Sequence, residues 1–430
     1  MFEDIPTPTE AHALALTCCR AGIAACLPAR AVGRHISVED ETVIDIAGTT
    51  YDLTEYDQHL ILGGGKAADT LTQALLDQCN LSDITGTIVT TAPATSIDAI
   101  EVFTGSHPVP GDANLAGTRT ILALAENADS DTVIFVPLTG GASALLCAPA
   151  QGLTLAAIQA VTDRLLTAGA PIEELNSVRQ MLSRIKGGGL ARAAHPATVI
   201  GILMSDVVGD DPSIIGSGPT VPTEQTAEKA RDILSRYGCT DTAAYSWLTS
   251  QNIAASGPTS VTNHVITTNR DALEAARREA TDAGYSTCLL SSEIEGEARA
   301  VGRIHAAIAR EIRQTGNPID RPAVILSGGE TTVTVTGSGT GGPNLETALA
   351  ALPGLPPDAV FASIDTDGSD GSTPAAGALV DTTMCQDSSR IESALAENDS
   401  YTLLAEHDGL LVSGATGTNV NDLRVLVLPP

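Results

Sequence analysis

Apolar and polar positions follow two different periods along this chain. Short runs that are nearly all apolar and rich in β-branched residues predict strands, and the longer stretches between them have the spacing of amphipathic helices. The predicted strands are 59–62, 87–91, 132–137, 197–204, 264–268, 286–290, 323–327, 360–364 and 410–413. The predicted helices are 9–27, 67–78, 113–127, 154–168, 171–184, 224–236, 270–283, 295–314, 344–352 and 388–397. Strands that are apolar on both faces and alternate with helices are typical of parallel sheets covered on both sides, which predicts the α/β class.

The alternation breaks between residues 237 and 260, a stretch that contains Gly238, Gly257 and Pro258. A chain of 430 residues is long enough for two domains that each bury a core. The sequence therefore predicts an N-terminal domain over 1–245 and a C-terminal domain over 260–430, without internal repeats or low-complexity tracts.

Acidic residues outnumber basic ones by 52 to 23, which gives a net charge of −29. Nucleic acids and anionic membranes require a basic surface, so we expect neither as a partner. High acidity with few lysines and few aromatic residues resembles a cytosolic protein of a salt-loving microbe, in which strong salt screens the repulsion. The N-terminus lacks the basic region of a signal peptide, and no apolar run reaches the roughly 18 residues of a membrane helix, so we expect a cytoplasmic protein. The eight cysteines lack C-x-x-C or zinc spacing, which predicts reduced thiols.

Two of the three lysines in the chain stand beside runs of three glycines. Lys66 follows Gly63–Gly65, Lys186 precedes Gly187–Gly189, and Lys229 lies in an ordinary polar helix. A compact ammonium group beside a backbone without side chains suits an anionic oxygen such as that of phosphate. The alternative interpretation is that both lysines cap or solvate helix ends.

Glycine clusters recur at the ends of predicted strands, where open α/β sheets bind ligands. Glycine lets backbone N–H groups approach an anion closely, so Gly64, Gly65, Gly140, Gly141 and Ser143 are candidate phosphate-binding residues, as are Gly187 and Gly188. The first loop is not a Walker loop, because Leu60 and Ala67 replace its first glycine and its hydroxyl residue. The sequence of the loop that contains Ser143 is equally compatible with an ordinary capped turn that binds no phosphate.

Charged residues near other strand ends are candidates for metal and substrate binding. Arg179 precedes Arg184 and Lys186 in a local cluster of cations, for which a solvated basic helix is the alternative. Asp206 follows an apolar strand, and Asp367 lies in the carboxylate-rich loop 365–371, both positions that suit the oxygen ligands of Mg²⁺. His107 is interpreted as a turn residue.

The segment Gly337–Gly342 matches G-x-G-x-x-G, and Asp365 follows about twenty residues later, as in dinucleotide-binding folds. This match supports one alternative function, a nicotinamide-dependent hydroxypyruvate reductase. The other alternative is a nucleotide-binding sensor without catalytic activity.

Taken in order, ten segments resemble the glycerate 2-kinases of the MOFRL type over almost the whole chain. The segments are 63–67, 106–110, 140–145, 175–179, 183–190, 205–212, 216–220, 327–333, 366–371 and 417–422. The resemblance implies a larger Rossmann-like N-terminal domain with a parallel sheet, a smaller MOFRL-type C-terminal domain, and an active site in the cleft between them. The sequence departs from the family at Thr139, where serine is usual, and in the loop 337–343, where a basic residue is common and Ser338, Thr340 and Pro343 stand instead. Leu345 replaces a family glutamine.

The resemblance implies a kinase that uses ATP and Mg²⁺ to phosphorylate the 2-hydroxyl of D-glycerate. The expected catalytic residues are Lys66 on the transferring phosphoryl group, Arg179 on the glycerate carboxylate or a phosphate, and Asp206, with Asp206 and Asp367 as metal ligands. The expected ATP- and substrate-binding residues are Gly64, Gly65, Gly140, Gly141, Ser143, Lys186, Gly187, Gly188, Glu330, Asn344, Asp367, Asn419 and Asn421. The expected partners are D-glycerate and ATP, and the sequence leaves the oligomeric state open, with a homodimer among the candidates.

Overall fold

The structure, a computed structural model, describes residues 2, 5, 7–40, 42–79, 84–93, 96–222, 224–250 and 260–430. The chain divides into two compact units. The N-terminal unit comprises Ala31–Ser205 and Asp210–Ile266, and the C-terminal unit comprises Met1–Arg30, Asp206–Gly209 and Thr267–Pro430.

The helices and strands confirm an α/β protein. The helices are α1 Glu10–Ala25, α2 Pro28–His35, α3 Ala68–Cys79, α4 Asp112–Glu126, α5 Ala142–Leu145, α6 Leu155–Thr167, α7 Ile172–Met181, α8 Gly189–Ala194, α9 Ala227–Arg236, α10 Ala243–Ser250, α11 Asn269–Asp282, α12 Ala298–Thr315, α13 Pro343–Ala351, α14 Ser388–Ala396 and α15 Ser400–Glu406. The strands are β1 Ile36–Asp40, β2 Val43–Ile46, β3 Thr49–Asp52, β4 Gln58–Gly64, β5 Ile84–Thr90, β6 Ile100–Thr104, β7 Thr132–Leu138, β8 Thr198–Met204, β9 Val261–Thr267, β10 Ser286–Glu297, β11 Ala323–Thr332, β12 Val360–Asp365, β13 Gly377–Asp381, β14 Leu410–Leu411 and β15 Asp422–Leu428.

The six-stranded sheet of the N-terminal unit has the order β6-β5-β4-β7-β8-β9. The strand pairs from β6 to β8 are all parallel, which confirms the predicted Rossmann-like sheet. From β4 the chain proceeds to β5 and β6 on one side, and β7, β8 and β9 lie on the other. The strand order therefore reverses between β4 and β7, and ligands of open α/β sheets bind beyond the carboxyl ends of strands at such a point.

A small antiparallel sheet, β1-β2-β3, precedes the parallel sheet and was not predicted. Its strands are only four or five residues long, and β3 is exposed or half-buried throughout, so the apolar pattern is weak. Ile44 and Ile46 are buried and join the same core as β4 and α3.

The sheet of the C-terminal unit has the order β10-β11-β15-β12-β13-β14 and is mixed. Only β10 and β11 are parallel, whereas β15 runs antiparallel to both β11 and β12, so the expectation of parallel strands is wrong here. Hydrophobic cores lie on both faces of this sheet, one of them including α1 and α11 and the other α12 and α13. Antiparallel strands buried on both faces have the continuous apolar pattern that normally indicates parallel ones.

The units differ from the contiguous segments 1–245 and 260–430. Helix α1 groups with the C-terminal unit because its Leu14, Leu16 and Ile23 are buried in the core that contains β12 and β15. Helix α10 occupies part of the predicted boundary, and residues 251–259 of that boundary lie outside the described residues. Among the described helices, none alone is long and apolar enough to cross a membrane. Helices α1 and α2 meet that criterion only as a pair, and a bend of 63° separates them.

Candidate active site

Two loops are joined by hydrogen bonds at the point where the strand order of the N-terminal unit reverses. The N–H of Lys66, after β4, donates to the carbonyl of Gly140, after β7, over 2.8 Å. The N–H of Ala67 donates to Oγ1 of Thr139 over 3.0 Å. Gly65 has a φ of +144°, and a Cβ atom there would overlap the Thr139 side chain. The glycine is therefore required by both the backbone conformation and the close approach of the second loop.

Lys66 lies half-buried beside Gly141 and His107. A Cβ atom on Gly141 would stand 3.2 Å from Cγ of Lys66 and 3.2 Å from Nε2 of His107. The Lys66 carbonyl accepts a hydrogen bond from the Thr90 hydroxyl over 3.1 Å. The structure therefore brings Lys66 together with the predicted residues Gly65, Gly140 and Gly141. The interpretation of His107 as a turn residue did not foresee that it lies beside Gly141. The resemblance of residues 106–110 to a kinase motif could have indicated this.

Backbone donors suited to an anion occur in the loop after β7. The N–H groups of Gly140 and Ser143 donate to no acceptor within the described residues. The Ser143 hydroxyl lies 2.6 Å from the Ser217 hydroxyl, which in turn donates to Oδ1 of Asn176 over 3.3 Å. This loop thus offers two N–H donors and a chain of hydroxyl groups in the same region.

Lys186 is the second of the two lysines that stand beside glycine runs. It is almost fully buried, with 6% of its surface exposed. Its ammonium donates to the carbonyl of Ser143 and, over 3.1 Å, to that of Leu146. Burial lowers its pKa to about 8, and the nearby charge of Arg179 acts in the same direction. Lys186 therefore holds two carbonyl groups of the Ser143–Leu146 segment and contributes positive charge there at neutral pH.

Arg179 lies half-buried near Lys186 at the end of α7. Burial lowers the pKa of its guanidinium, and no acidic side chain among the described residues forms an ion pair with it. Two neighbouring cations without an acidic partner are unusual in a chain with 52 acidic residues. The pair favours a bound anion, since a carboxylate or phosphate would offset both the burial and the mutual repulsion.

The N–H groups of Gly187–Gly189, which were expected to contact phosphate, already have acceptors within the chain. These groups donate instead to the carbonyls of Ser217, Gly218 and Lys186, at 3.0, 2.7 and 3.0 Å respectively. Gly188 has a φ of +75° and would meet Pro222 if it carried a side chain. The glycines therefore join this turn to the 216–218 segment, and Arg192 secures it through the Gly187 carbonyl over 2.8 Å.

In the C-terminal unit, acidic side chains gather near the end of β11. Burial raises the pKa of the Glu330 carboxyl to about 7, and the negative charges of Asp422, Asp206 and Glu295 add to the effect. The Glu330 residue as a whole is exposed, and solvent therefore screens part of this effect. Repulsion of this kind is relieved by a proton or by a divalent cation.

The loop 365–371 supplies further carboxylates. Oδ1 of Asp365 accepts the N–H of Asp367 over 2.9 Å, and Oδ1 of Asp367 accepts the N–H of Ser369 over 2.8 Å. Burial raises the pKa of Asp365 well above its usual range, with contributions from Asp367 and Asp422. Asp370 is buried and caps α13 by accepting the N–H of Leu345 over 2.8 Å. Asp367 is thus fixed at the surface of a buried acidic network.

The three predicted asparagine ligands have structural roles. Asn344 is buried, donates to Oδ1 of Asp422 over 2.6 Å and accepts the Ser363 hydroxyl over 2.6 Å, so its side chain is fully engaged. Substrate binding by the Asn344 side chain would require these hydrogen bonds to break, and it stays a prediction. Asn419 accepts the N–H of Asn421 over 3.0 Å, and Asn421 has the left-handed φ of +64°. These two residues shape the loop before β15, and direct binding by them stays a prediction.

Arg424 is the residue of this region that the sequence reasoning missed. Its guanidinium is fully buried and donates to the Asp422 carboxylate, to the Gly328 carbonyl over 3.1 Å and to the Thr331 hydroxyl over 3.2 Å. It is the one charged residue between Leu423 and Leu428 of β15. An arginine inside an apolar strand was the signal that could have revealed a buried charge network.

Family models and relatives match both units. Residues 14–249 match the family described as a domain of unknown function, DUF4147, and residues 323–422 match the MOFRL family. A glycerate 2-kinase of Pyrococcus horikoshii is 34% identical, over 93% of this chain and 93% of its own. The crystal structure of a glycerate kinase from Thermotoga maritima matches with a TM-score of 0.84 at 33% identity, over 97% of this chain and 99% of its own. The chain belongs to the glycerate 2-kinase family of the MOFRL type.

Two relatives bear a different name. A chain of Agrobacterium vitis, 39% identical over 86% of this chain and 99% of its own, carries the provisional name hydroxypyruvate reductase. That name corresponds to the dinucleotide interpretation of the segment 337–342. For this member of the kinase family, the geometry of that segment does not support it.

The segment 337–342 is bound to the chain between α14 and α15. The N–H of Gly337 donates to Oδ1 of Asn398 over 2.9 Å, that of Gly339 to the Glu397 carbonyl over 2.8 Å, and that of Thr340 to Oδ1 of Asp399 over 3.0 Å. A dinucleotide fingerprint instead directs its N–H groups at a pyrophosphate. In this kinase-family chain the glycines allow close packing, since Cβ atoms on Gly337 or Gly339 would overlap residues 397–399.

The carboxylates near Glu330 fit a Mg²⁺ ion that the protein holds only in part, with substrate phosphates and waters supplying the other ligands. Among the described residues, no group of three His, Cys, Asp or Glu side chains is placed to hold a metal ion. Mg²⁺ usually keeps several waters and takes one or two carboxylates together with substrate phosphates. Glu330 and Asp206, whose charges already repel each other, satisfy that smaller requirement.

Proposed function

We propose that this protein transfers the γ-phosphoryl group of ATP to the 2-hydroxyl of D-glycerate. The observation that carries the proposal is the anion site where the strand order reverses. There, Lys66 and the N–H groups of Gly140 and Ser143 lie on two joined loops, within a chain of the glycerate 2-kinase family. Phosphoryl transfer needs mainly positioning and charge neutralisation, which such a site supplies.

Lys66 contacts the transferring phosphoryl group in this proposal. Its ammonium is the flexible point charge of the loop, and Gly141, which has no side chain, lies beside its stem. The N–H groups of Gly140 and Ser143 bind phosphate oxygens at a helix start, although α5 is short and the lysine carries most of the charge. Lys186 acts indirectly, by holding the carbonyls of Ser143 and Leu146.

Arg179 binds the carboxylate of glycerate. A planar guanidinium forms two parallel hydrogen bonds with a carboxylate, and Arg179 lacks an acidic partner among the described residues. The hydroxyl chain of Ser143 and Ser217 is suited to the hydroxyl groups of the same substrate. Arg179→Lys should therefore raise the KM for glycerate more than that for ATP, since lysine loses the bidentate geometry.

Asp206 would hold Mg²⁺ together with either Glu330 or Asp367. When bound, the ion neutralises charge on the phosphates during transfer. The chain's own contribution is to gather carboxylates whose repulsion favours a cation, as the raised pKa of Glu330 indicates.

The deciding experiment measures ATP consumption with and without D-glycerate and Mg²⁺. We expect ATP consumption only when all three are present, and a product whose phosphorus NMR spectrum is that of 2-phosphoglycerate. A product with the spectrum of 3-phosphoglycerate would contradict the position of transfer. A parallel assay of NADH oxidation with hydroxypyruvate should show no reaction, and the opposite pair of results would establish the reductase instead.

The proposal extends to the conditions in which the protein works. All eight cysteines are free, and seven of them are buried, which suits a reducing cytoplasm. The net charge of −29 suits a high-salt interior. Small molecules are the expected partners, and the homodimer stays a prediction.

A further inference from the structure

Three side chains of the N-terminal unit form a hydrogen-bonded chain whose direction follows from the number of protons available. Oγ of Ser217 donates to Oδ1 of Asn176 over 3.3 Å, and Oγ of Ser143 lies 2.6 Å from Oγ of Ser217. A hydroxyl group has a single proton, so Ser217 cannot donate to both neighbours. Ser143 therefore donates its own proton to Ser217, and the lone pairs of Ser143 are left to accept a hydrogen bond from a ligand.

The backbone holds Ser217 firmly enough to impose this direction. Ser217 is fully buried and has the left-handed φ of +63° between two glycines. Its N–H donates to the Ile214 carbonyl over 2.8 Å, and its carbonyl accepts the N–H of Gly187 over 3.0 Å. A residue other than glycine keeps this conformation only where its surroundings enforce it, and such positions are concentrated at functional sites.

The amide of Asn176 has an unused donor. More than nine-tenths of the residue is buried, and the hydrogen bond from Ser217 to its Oδ1 fixes the orientation of the amide. Its Nδ2 donates to no acceptor among the described residues and retains contact with solvent. Asn176 and Arg179 are three residues apart within α7 and therefore lie on the same side of the helix. The helix thus places a second donor beside the guanidinium to which the glycerate carboxylate is assigned.

We infer that this chain sets the polarity of the substrate site: Nδ2 of Asn176 donates to the glycerate carboxylate, and Oγ of Ser143 accepts a hydrogen bond from the 3-hydroxyl. Ser217 acts through Ser143, as a positioning residue, by accepting the hydrogen bond of its hydroxyl. The 3-hydroxyl keeps its proton throughout the reaction and so remains a donor, whereas the 2-hydroxyl loses its proton during transfer. This inference rests on the proposed phosphorylation of D-glycerate.

D-Lactate separates the two contacts, because it has the carboxylate and the 2-hydroxyl of D-glycerate but lacks the 3-hydroxyl. Calorimetric titration of the full chain, with Mg²⁺ and a non-hydrolysable ATP analogue, gives the Kd of each acid without turnover. The wild type should bind D-lactate roughly tenfold more weakly than D-glycerate, the effect of leaving one acceptor unpaired. A wild type that binds neither acid would contradict the proposed function itself, and one that binds both acids equally would overturn only this inference.

Ser217→Gly removes the positioning hydroxyl and tolerates the left-handed φ, so the turn should persist. We expect the Kd of D-glycerate to rise about three- to tenfold and that of D-lactate to stay unchanged, so that discrimination between the acids is lost. Ser177→Ala is the matched control, because this buried hydroxyl donates to the Glu173 carbonyl of its own helix and should affect neither Kd. An equal rise for both acids in Ser217→Gly, or an unchanged ratio of the two Kd values, would overturn the role of Ser217.

Asn176→Asp tests the contact with the carboxylate. Aspartate keeps an acceptor for Ser217 but lacks the amide donor and brings a negative charge toward the negative substrate. Since both acids have the carboxylate, both Kd values should rise about tenfold or more, while their ratio stays near that of the wild type. Unchanged Kd values, or a rise for D-glycerate alone, would show that Asn176 does not contact the carboxylate.

Discussion

Asp422 and Arg424 stand two residues apart on β15, and the guanidinium of Arg424 donates to the carboxylate of Asp422 inside the C-terminal unit. The same carboxylate accepts the N–H and hydroxyl of Thr331 over 2.9 and 3.0 Å, and the amide of Asn344 over 2.6 Å. Arg424 is therefore the buried counter-charge of the acidic network that surrounds Glu330 and Asp365. Without Arg424, the negative charge of Asp422, which already raises the pKa of Glu330, would have no positive partner.

Replacing Arg424 by methionine should destabilise the protein strongly. Removing one partner of a buried ion pair costs about 3–5 kcal/mol, because the other charge stays buried and unpaired. The matched control is Arg390→Met, which removes an exposed ion pair with Glu406 and should cost about 0–1 kcal/mol. Urea unfolding followed by circular dichroism measures both. Equal stability losses in the two variants would contradict the role assigned to Arg424.

Lys66→Ala should reduce kcat by about 10²–10³, the usual loss when one transition-state charge stabiliser is removed. Lys66→Arg should also be poor, because Gly141 and the His107 ring lie beside the lysine stem and leave little room for a guanidinium fork. Lys229→Ala is the control, since Lys229 is exposed on α9. Steady-state kinetics with D-glycerate decide the matter, and a Lys66→Ala enzyme with near-normal kcat would disprove the assignment.

The apolar pattern predicted the parallel topology of the N-terminal sheet but not the mixed topology of the C-terminal one. Strands β4, β5, β7 and β8 were located, because parallel strands buried on both faces leave long apolar runs. Strand β15 was missed, although it pairs with both β11 and β12. Arg424 interrupts its apolar run, and two acceptors of its guanidinium, Gly328 and Thr331, lie more than ninety residues away in the chain.

Glycine runs predicted where loops approach each other but not where their N–H groups point. Gly65 and Gly141 lie beside Lys66, in loops whose position at strand ends follows from the α/β pattern. Gly187 and Gly188 look the same in the sequence, yet their N–H groups donate to Ser217 and Gly218, which are about thirty residues away in the chain. Such tertiary acceptors are invisible to any argument from local spacing.

Gly65→Ala should disrupt the joined loops of the anion site. The added methyl group would overlap Oγ1 of Thr139, and alanine disfavours the φ of +144°, so we expect a stability loss of about 1–3 kcal/mol together with weaker ATP binding. Gly33→Ala is the control, because a Cβ atom there would meet nothing within 4 Å. Thermal unfolding and the KM for ATP are the measurements. A Gly65→Ala protein that behaves like the control would show that the loops are not closely joined.

Glu330 should make stability depend on pH in a defined direction. Its pKa is raised from 4.5 to about 7, so between these values the folded chain keeps a proton that the unfolded chain releases. Stability therefore falls as pH rises through this window and is constant above it as far as Glu330 is concerned. Glu330→Gln should gain stability relative to the wild type over the same window, and Mg²⁺ should reduce that gain. Glu392→Gln, at an exposed site, should show no such window, and a flat difference between Glu330→Gln and wild type would contradict the shift.

The melting temperature should rise from low to molar potassium chloride. A net charge of −29 opposes the compact state, and the Debye length shrinks to about 3 Å at 1 M salt, which screens that repulsion. Salt also weakens attractive surface pairs such as Arg164–Asp241, but exposed pairs contribute only about 0–1 kcal/mol each. Because acidic residues exceed basic ones by 52 to 23, repulsion dominates and the net effect of salt is stabilising. Sucrose, which favours compact states without screening charge, is the control and should not replace the salt requirement. A melting temperature that is flat or falls across the salt series would show that the charge excess does not limit stability.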